Sequence, residues 1–147
     1  MTARRILLAI AALSLAGMLV SSVSLYHHYG RHQSSYCDFG ENFNCDVVNR
    51  SVYSTVMGVP VALIGVAGYA GLLFVAAARH GKPRTPAVLL AAALAGLGFA
   101  LYLTYIEKFV LATWCVLCLS SLGIIFAVTV LAALLAALSS RSDQARA

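Results

Sequence analysis

The chain has 147 residues, 61% of them hydrophobic and only 10% charged, with a mean hydropathy of +0.88 and a formal net charge of +5. A water-soluble domain carries roughly 25% charged residues, so too little polar surface exists here to coat a globule, and residues 1–147 read as one integral membrane domain. The positive balance does not mark a nucleic-acid binder, because the basic residues gather at the ends of apolar runs rather than in a stripe interleaved with aromatics.

Four apolar runs follow one another: 6–25, 56–78, 86–105 and 114–138. Each meets or approaches the ~20 residues a helix needs to cross a ~30 Å hydrocarbon core. Period-two alternation is absent, and open strands would leave backbone groups unpaired in lipid, so the expected fold is an all-α membrane protein, a bundle of four transmembrane helices. The first run follows Arg4 and Arg5 as a secretory signal would. It is longer than the usual ~7–15 residue signal core and has no small-x-small site at its end, so it is read as a retained span. Gly58-Val59-Pro60 is expected to open the second span, with proline in a first helical turn.

Charge placement orients the bundle. Arg4, Arg5, Arg79, Lys82, Arg84, Arg141 and Arg146 fall on one side, seven of the ten basic residues, against Arg31, Arg50 and Lys108 on the other. The positive-inside rule then puts both termini in the cytoplasm and all four cysteines on the outer, oxidising face.

The outer segment 26–55 is too long for an idle connector. Its second half, Cys45 to Tyr53, brings Val47, Val48 and Val52 near one side, as in a short half-helix lying in the interface over the bundle. Cys37 and Cys45, with seven residues between them, are either a staple for this loop or the outer half of a relay. Neighbouring Asp38, Glu41 and Asp46 disfavour the thiolate and lean toward a staple. A loop disulfide close to a second thiol pair is, however, what thiol exchange requires, and the relay is preferred. His27, His28 and His32 read as an interfacial polar belt. A zinc site is disfavoured by the loose spacing of the loop cysteines, and no metal is expected.

Cys115-Val116-Leu117-Cys118 opens the last run, next to the interfacial anchor Trp114. Thiols one turn apart at a helix N-terminus meet the positive end of the helix dipole, which favours exchange chemistry. Cys118 is expected to face the interior and Cys115 the loop. Ser51 and Asn49 are weaker signals, since such residues mostly cap a short helix, although a hydroxyl over the thiol pair suits a quinone carbonyl. Gly65, Gly68, Gly71, Gly96 and Gly98 are expected at close helix contacts.

Four spans, an outer-loop C-x7-C, a serine six residues after its second cysteine and a C-x-x-C opening the last span together resemble the vitamin K epoxide reductase family over nearly the whole chain, most closely its bacterial members. The DsbB enzymes share the Cys-Val-Leu-Cys string, but their C-x-x-C precedes the loop pair, and they place an arginine just after it that is missing here. The resemblance implies that Cys37 and Cys45 are a shuttle pair, that Cys115 and Cys118 stand next to a quinone with Cys118 nearest, and that Ser51 lies near the quinone. Animal members carry a tyrosine where this chain has Leu122, and an asparagine just before the second span where Ser54–Met57 offers none. Epoxide reduction and coumarin sensitivity therefore fall outside what the resemblance implies.

The implied activity is that of a bacterial inner-membrane thiol:quinone oxidoreductase. It would reoxidise a separate periplasmic thioredoxin-fold, DsbA-like protein and pass electrons to menaquinone or ubiquinone, supporting disulfide formation. The alternatives are quinone reduction of the vitamin K and epoxide type as the main activity, and a non-enzymatic membrane scaffold stapled by disulfides.

Overall fold

The computed structural model describes residues 2–30, 40–78 and 82–146. Cys37, with Arg31, His32, Asp38 and Arg79, lies outside the described residues. Five α-helices follow in order: α1 (Ala3–Tyr29), α2 (Cys45–Asn49), α3 (Val61–Ala78), α4 (Thr85–Ile106) and α5 (Val116–Arg146). A π-helical turn, Glu107–Leu111, extends α4. Helices α1, α3, α5 and α4 with its extension are long and apolar enough to cross a membrane, and the fold is the expected all-α, four-helix membrane protein.

Packing explains how the bundle stands. Helix α1 lies against α3 and α5, and α5 against α4, while α3 and α4 touch less. The main core of Ile6, Ile10, Tyr69, Leu72, Leu89 and Val128 fills the end of the bundle that carries the N-terminus of α1. Leu8, Leu19, Phe74, Leu101, Phe126 and Leu134 point outward and are exposed, an arrangement suited to lipid, where apolar side chains need no cover. Between α4 and α5, Thr129 Oγ1 donates to the Ile125 carbonyl within its own helix (2.8 Å) and lies 3.3 Å from the Ala93 carbonyl across the interface.

Small residues set the closest approaches, but not all at the expected places. A Cβ at Gly65 would come 2.8 Å from Ser21 Oγ, and one at Gly96 would come 3.2 Å from Ile125. The tightest site is Gly17, where a Cβ would run into the ring of Tyr69. Gly68, Gly71 and Gly98 have nothing within 4 Å of the same position. They are not packing glycines, and Gly68 instead borders a cavity.

Three boundaries differ from the sequence expectation. The second helix begins at Val61, not at Val56, because Thr55–Val56 and Val59–Pro60 form a two-residue hairpin around Met57 (φ 52°) and Gly58 (φ 82°). Two successive positive φ values make the kind of turn whose twist suits a tight hairpin, and Pro60 precedes the helix instead of opening it. The last helix runs beyond Leu138 to Arg146. The outer half-helix is only five residues long, followed by a 3-10 turn at Val52–Ser54. Its buried face is Cys45, Val48 and Asn49, whereas Val47 and Val52 are exposed. An i, i+3, i+4 face is what one helical turn can bury, and a helix this short cannot carry Val52 on the same stripe.

Candidate active site

Two backbone hydrogen bonds dock the outer loop onto the start of α5. Trp114 N–H donates to the Asn42 carbonyl (2.8 Å) and Asn44 N–H to the Trp114 carbonyl (3.1 Å), a short parallel bridge. Asn44 then caps α2, its side-chain oxygen accepting from the N–H groups of Asp46 (3.0 Å) and Val47 (3.1 Å), which satisfies donors a helix start leaves open. Cys45 is the first residue of α2 and Cys115 directly precedes α5, so the docked segments hold the two thiols against each other. Both are fully buried, and with Val48 they form a small cluster against which Leu111, Leu117 and Cys118 pack.

From the other side, α1 clamps α2. His27 Nδ1 faces Asp46 Oδ1 at 3.6 Å, His28 Nδ1 donates to the Asn49 carbonyl (2.6 Å) and Arg50 donates to the Gly30 carbonyl. His27 is buried and His28 lines the cavity, so these two residues anchor the half-helix and are not an exposed interfacial belt.

Cys115 stands between its neighbours, its thiol packed with Cys118 on one side and Cys45 on the other. The neighbouring Cys118 thiol holds the Cys115 thiol well above the usual thiol range, burial adds to this, and Cys45 opposes it. In the dithiol the helix dipole therefore does not turn Cys115 into a resting thiolate, contrary to the expectation from its position; a short contact to a second thiol in a water-free cluster outweighs it. As expected, Cys115 faces the loop and Cys118 the interior, where it borders the cavity.

Charge enters this site from a residue that the sequence reading did not single out. Glu107 is 2% exposed. Its Oε2 accepts the backbone N–H of Cys115 (3.2 Å), and its carboxyl group lies beside the Cys118 thiol. The π turn and the left-handed Ala112 (φ 48°) swing the chain back so that Thr113 N–H closes on the Glu107 carbonyl (3.1 Å), bringing Cys115 over the carboxylate. One signal was available in the sequence: an acid at the end of an apolar run is costly in or near a membrane and by default marks function.

A cavity of about 480 Å³ opens beside Cys118, bounded by α1, α2, α3, α4 and α5, within the ~300–1,000 Å³ of small-molecule sites. Its walls are mostly apolar; Ser24, His28, Asn49, Ser51, Ser54 and Glu107 supply polar groups, and Ser21, Tyr53, Tyr69 and Ser121 also line it. Asn49 accepts from Ser24 (2.7 Å) through Oδ1, while its buried Nδ2 has no hydrogen-bond partner among the described residues. Ser51 also borders the cavity, but its hydroxyl donates to the Val48 carbonyl (2.8 Å) and so closes the half-helix. An apolar molecule bearing carbonyl acceptors fits these walls, with a spare amide donor and a thiol at its polar end. Compared with known families, residues 8–133 match the model of the vitamin K epoxide reductase family.

Proposed function

The chain belongs to the vitamin K epoxide reductase family, a membrane oxidoreductase, and from that premise we propose that it is a thiol:quinone oxidoreductase. It reoxidises a periplasmic thioredoxin-fold protein of the DsbA type from the bacterial inner membrane. The observation that carries this reading is the unbroken line Cys45–Cys115–Cys118–cavity, in which each thiol touches the next and the last one borders a space fit for a quinone. Lys82 and Arg84 at one end of the bundle, with Arg4, Arg5 and Arg141, support a cytoplasmic assignment of that end, with the cysteines on the outer face.

In this reading the partner's thiolate attacks the Cys37–Cys45 disulfide and frees Cys45. Cys45 attacks Cys115 in the Cys115–Cys118 disulfide and releases Cys118. The partner's second thiolate displaces Cys37, so the partner leaves as a disulfide, and the freed Cys37 attacks Cys45 to reform Cys37–Cys45 and leave Cys115 and Cys118 as a dithiol. A quinone held by Asn49, with Ser51 close by, supplies a two-electron, two-proton sink for that dithiol. The apolar walls exclude water around Cys118, and the helix start holds both thiols within bonding reach of each other.

Purified protein supplied with a reduced thioredoxin-fold partner and a quinone tests this directly. Quinone reduction is expected from the parent chain and none from Cys118→Ala, while Cys115→Ser accumulates stalled disulfides at the loop pair. Cysteines that stay locked whatever the quinone state would return the chain to a stapled scaffold, and parent-rate turnover by Cys115→Ser would break the relay order.

A further inference from the structure

Glu107 is the one carboxylate buried among the described cysteines, and the relay of thiols gives it no task. Burying a carboxyl group in an apolar wall costs several kcal/mol unless it is paired or used. No cation pairs with it: Oε2 takes the Cys115 N–H, and Oε1 has no conventional hydrogen-bond donor among the described residues. What remains beside the carboxyl group is the Cys118 thiol, with the cavity on its other side. The titratable groups facing it are Cys118 and Cys115 at the start of α5, Cys45 of α2 behind them, and His28 and Tyr69 across the cavity. Lys108, next in sequence, points away and lies over the Phe109 ring.

We propose that Glu107 is a catalytic residue of the cysteine pair, the base that takes the Cys118 proton and hands it into the cavity. This deepens the thiol:quinone reading and rests on it. Electrons leave a thiolate, not a thiol, and among the described residues Glu107 is the basic side chain that lies beside Cys118. The exchange is Cys118–SH + Glu107–COO⁻ → Cys118–S⁻ + Glu107–COOH. Once Glu107 has passed that proton into the cavity and is a carboxylate again, the Cys115 proton follows by way of Cys118 and leaves by the same route. As the Cys115–Cys118 bond forms, the dithiol loses two electrons and two protons, and both pass to the quinone, which becomes a hydroquinone. The hydrogen bond from Cys115 N–H to Oε2 fixes the carboxyl group in reach of both thiols throughout.

Two measurements test the assignment. The first needs no quinone: the reduced protein is alkylated over a range of pH and Cys118 labelling is read by peptide mass spectrometry. A thiol sharing a proton with a carboxylate titrates as a coupled pair, so the parent profile is expected to carry a step, beyond those of the coupled thiols, that is lost in Glu107→Gln, which keeps the acceptor for Cys115 N–H. The second is quinone reduction, where Glu107→Gln is expected to fall by about 10²-fold, the scale of a lost general base. Glu107→Ala should be slow too and regain turnover with added formate or acetate. Should the glutamine variant fold poorly, the rescue of the alanine variant still decides. A parent profile with no step that Glu107→Gln removes, parent-like turnover by Glu107→Gln, or failure of carboxylates to rescue Glu107→Ala overturns the proposal. If Cys118→Ala also turns over, or the parent does not, the thiol:quinone reading itself has failed and the role of Glu107 falls with it.

Discussion

Cys45 and Cys115 come from segments far apart in the chain and meet in one buried cluster, each fully buried. Their contact is imposed by the backbone bridge between residues 42–44 and Trp114, not by the helices that carry them. A chain that needed Cys45 only as a loop staple has no use for its contact with the last helix. In the Cys37→Ala, Cys118→Ala double variant, only these two thiols remain, and mild chemical oxidation is expected to join them within one molecule. Peptide mass spectrometry reads the linked pair; two separately alkylated peptides would mean the thiols do not reach each other, and the transfer from loop to helix would need another route.

The neighbouring Cys118 thiol is the first cause of the raised Cys115 titration. A thiol held above its usual range stays protonated at neutral pH and reacts only as the pH rises toward that value. Cys118→Ala removes the largest upward influence and leaves Cys45, which acts downward. The midpoint of Cys115 alkylation should therefore move to lower pH in this variant, with labelling at about pH 8 faster by threefold or more. An unchanged midpoint would show that burial, not the neighbouring thiol, holds the proton.

The spans and the placement of C-x-x-C at the start of the last helix were legible because both rest on signals that survive without tertiary contacts: apolar length, basic residues at run ends, and a thiol pair beside an interfacial tryptophan. The half-helix face was not legible, since five residues define no period and the choice of Val48 and Asn49 over Val47 and Val52 is made by the packing of α1 and Trp114. Glu107 was missed for a related reason. It lies eight residues before Cys115 in sequence, and only a π turn and a left-handed alanine bring it back to the thiols. Glycine packing was half legible: Gly65 and Gly96 do face neighbours, but the tightest approach, at Gly17, depends on where an aromatic ring from α3 lands.

That ring gives a stability prediction. Tyr69 is buried, and its hydroxyl lies 2.9 Å from both the carbonyl and Oγ of Ser121, tying α3 to α5 while its ring edge lies on Gly17 of α1. Gly17→Ala should lower stability in detergent by about 1–3 kcal/mol, the usual cost of overpacking. Tyr69→Phe, which keeps the ring, should cost about 1 kcal/mol by itself and leave the Gly17→Ala penalty intact. Tyr69→Leu should shrink that penalty, because the clash is with ring carbons. Additive losses in the Gly17→Ala, Tyr69→Leu pair, measured by thermal unfolding, would place the strain elsewhere.

Asn49 and Ser51 share the cavity rim, and their hydrogen bonds rank them for a carbonyl ligand. The Ser51 hydroxyl already gives its proton to the Val48 carbonyl, so presenting it to a ligand means breaking that bond. Asn49 spends only its oxygen, on Ser24, and keeps a buried amide N–H₂ without a partner among the described residues. A buried donor with no acceptor costs about 1–3 kcal/mol, and a bound carbonyl oxygen would recover part of that. Removing the donor should thus weaken quinone binding more than removing the hydroxyl. Asn49→Leu is expected to raise the KM for quinone about fivefold or more, the worth of one net hydrogen bond of about 1 kcal/mol. Ser51→Ala should change it less than about twofold and instead lower thermal stability by loosening the half-helix. Ser24→Ala, which removes only the partner of the Asn49 oxygen, separates loss of the donor from loss of support and should leave KM near the parent value. The opposite ranking, with Ser51→Ala raising KM and Asn49→Leu silent, would mean that the half-helix rearranges when the ligand enters and that Ser51 is freed to bind it.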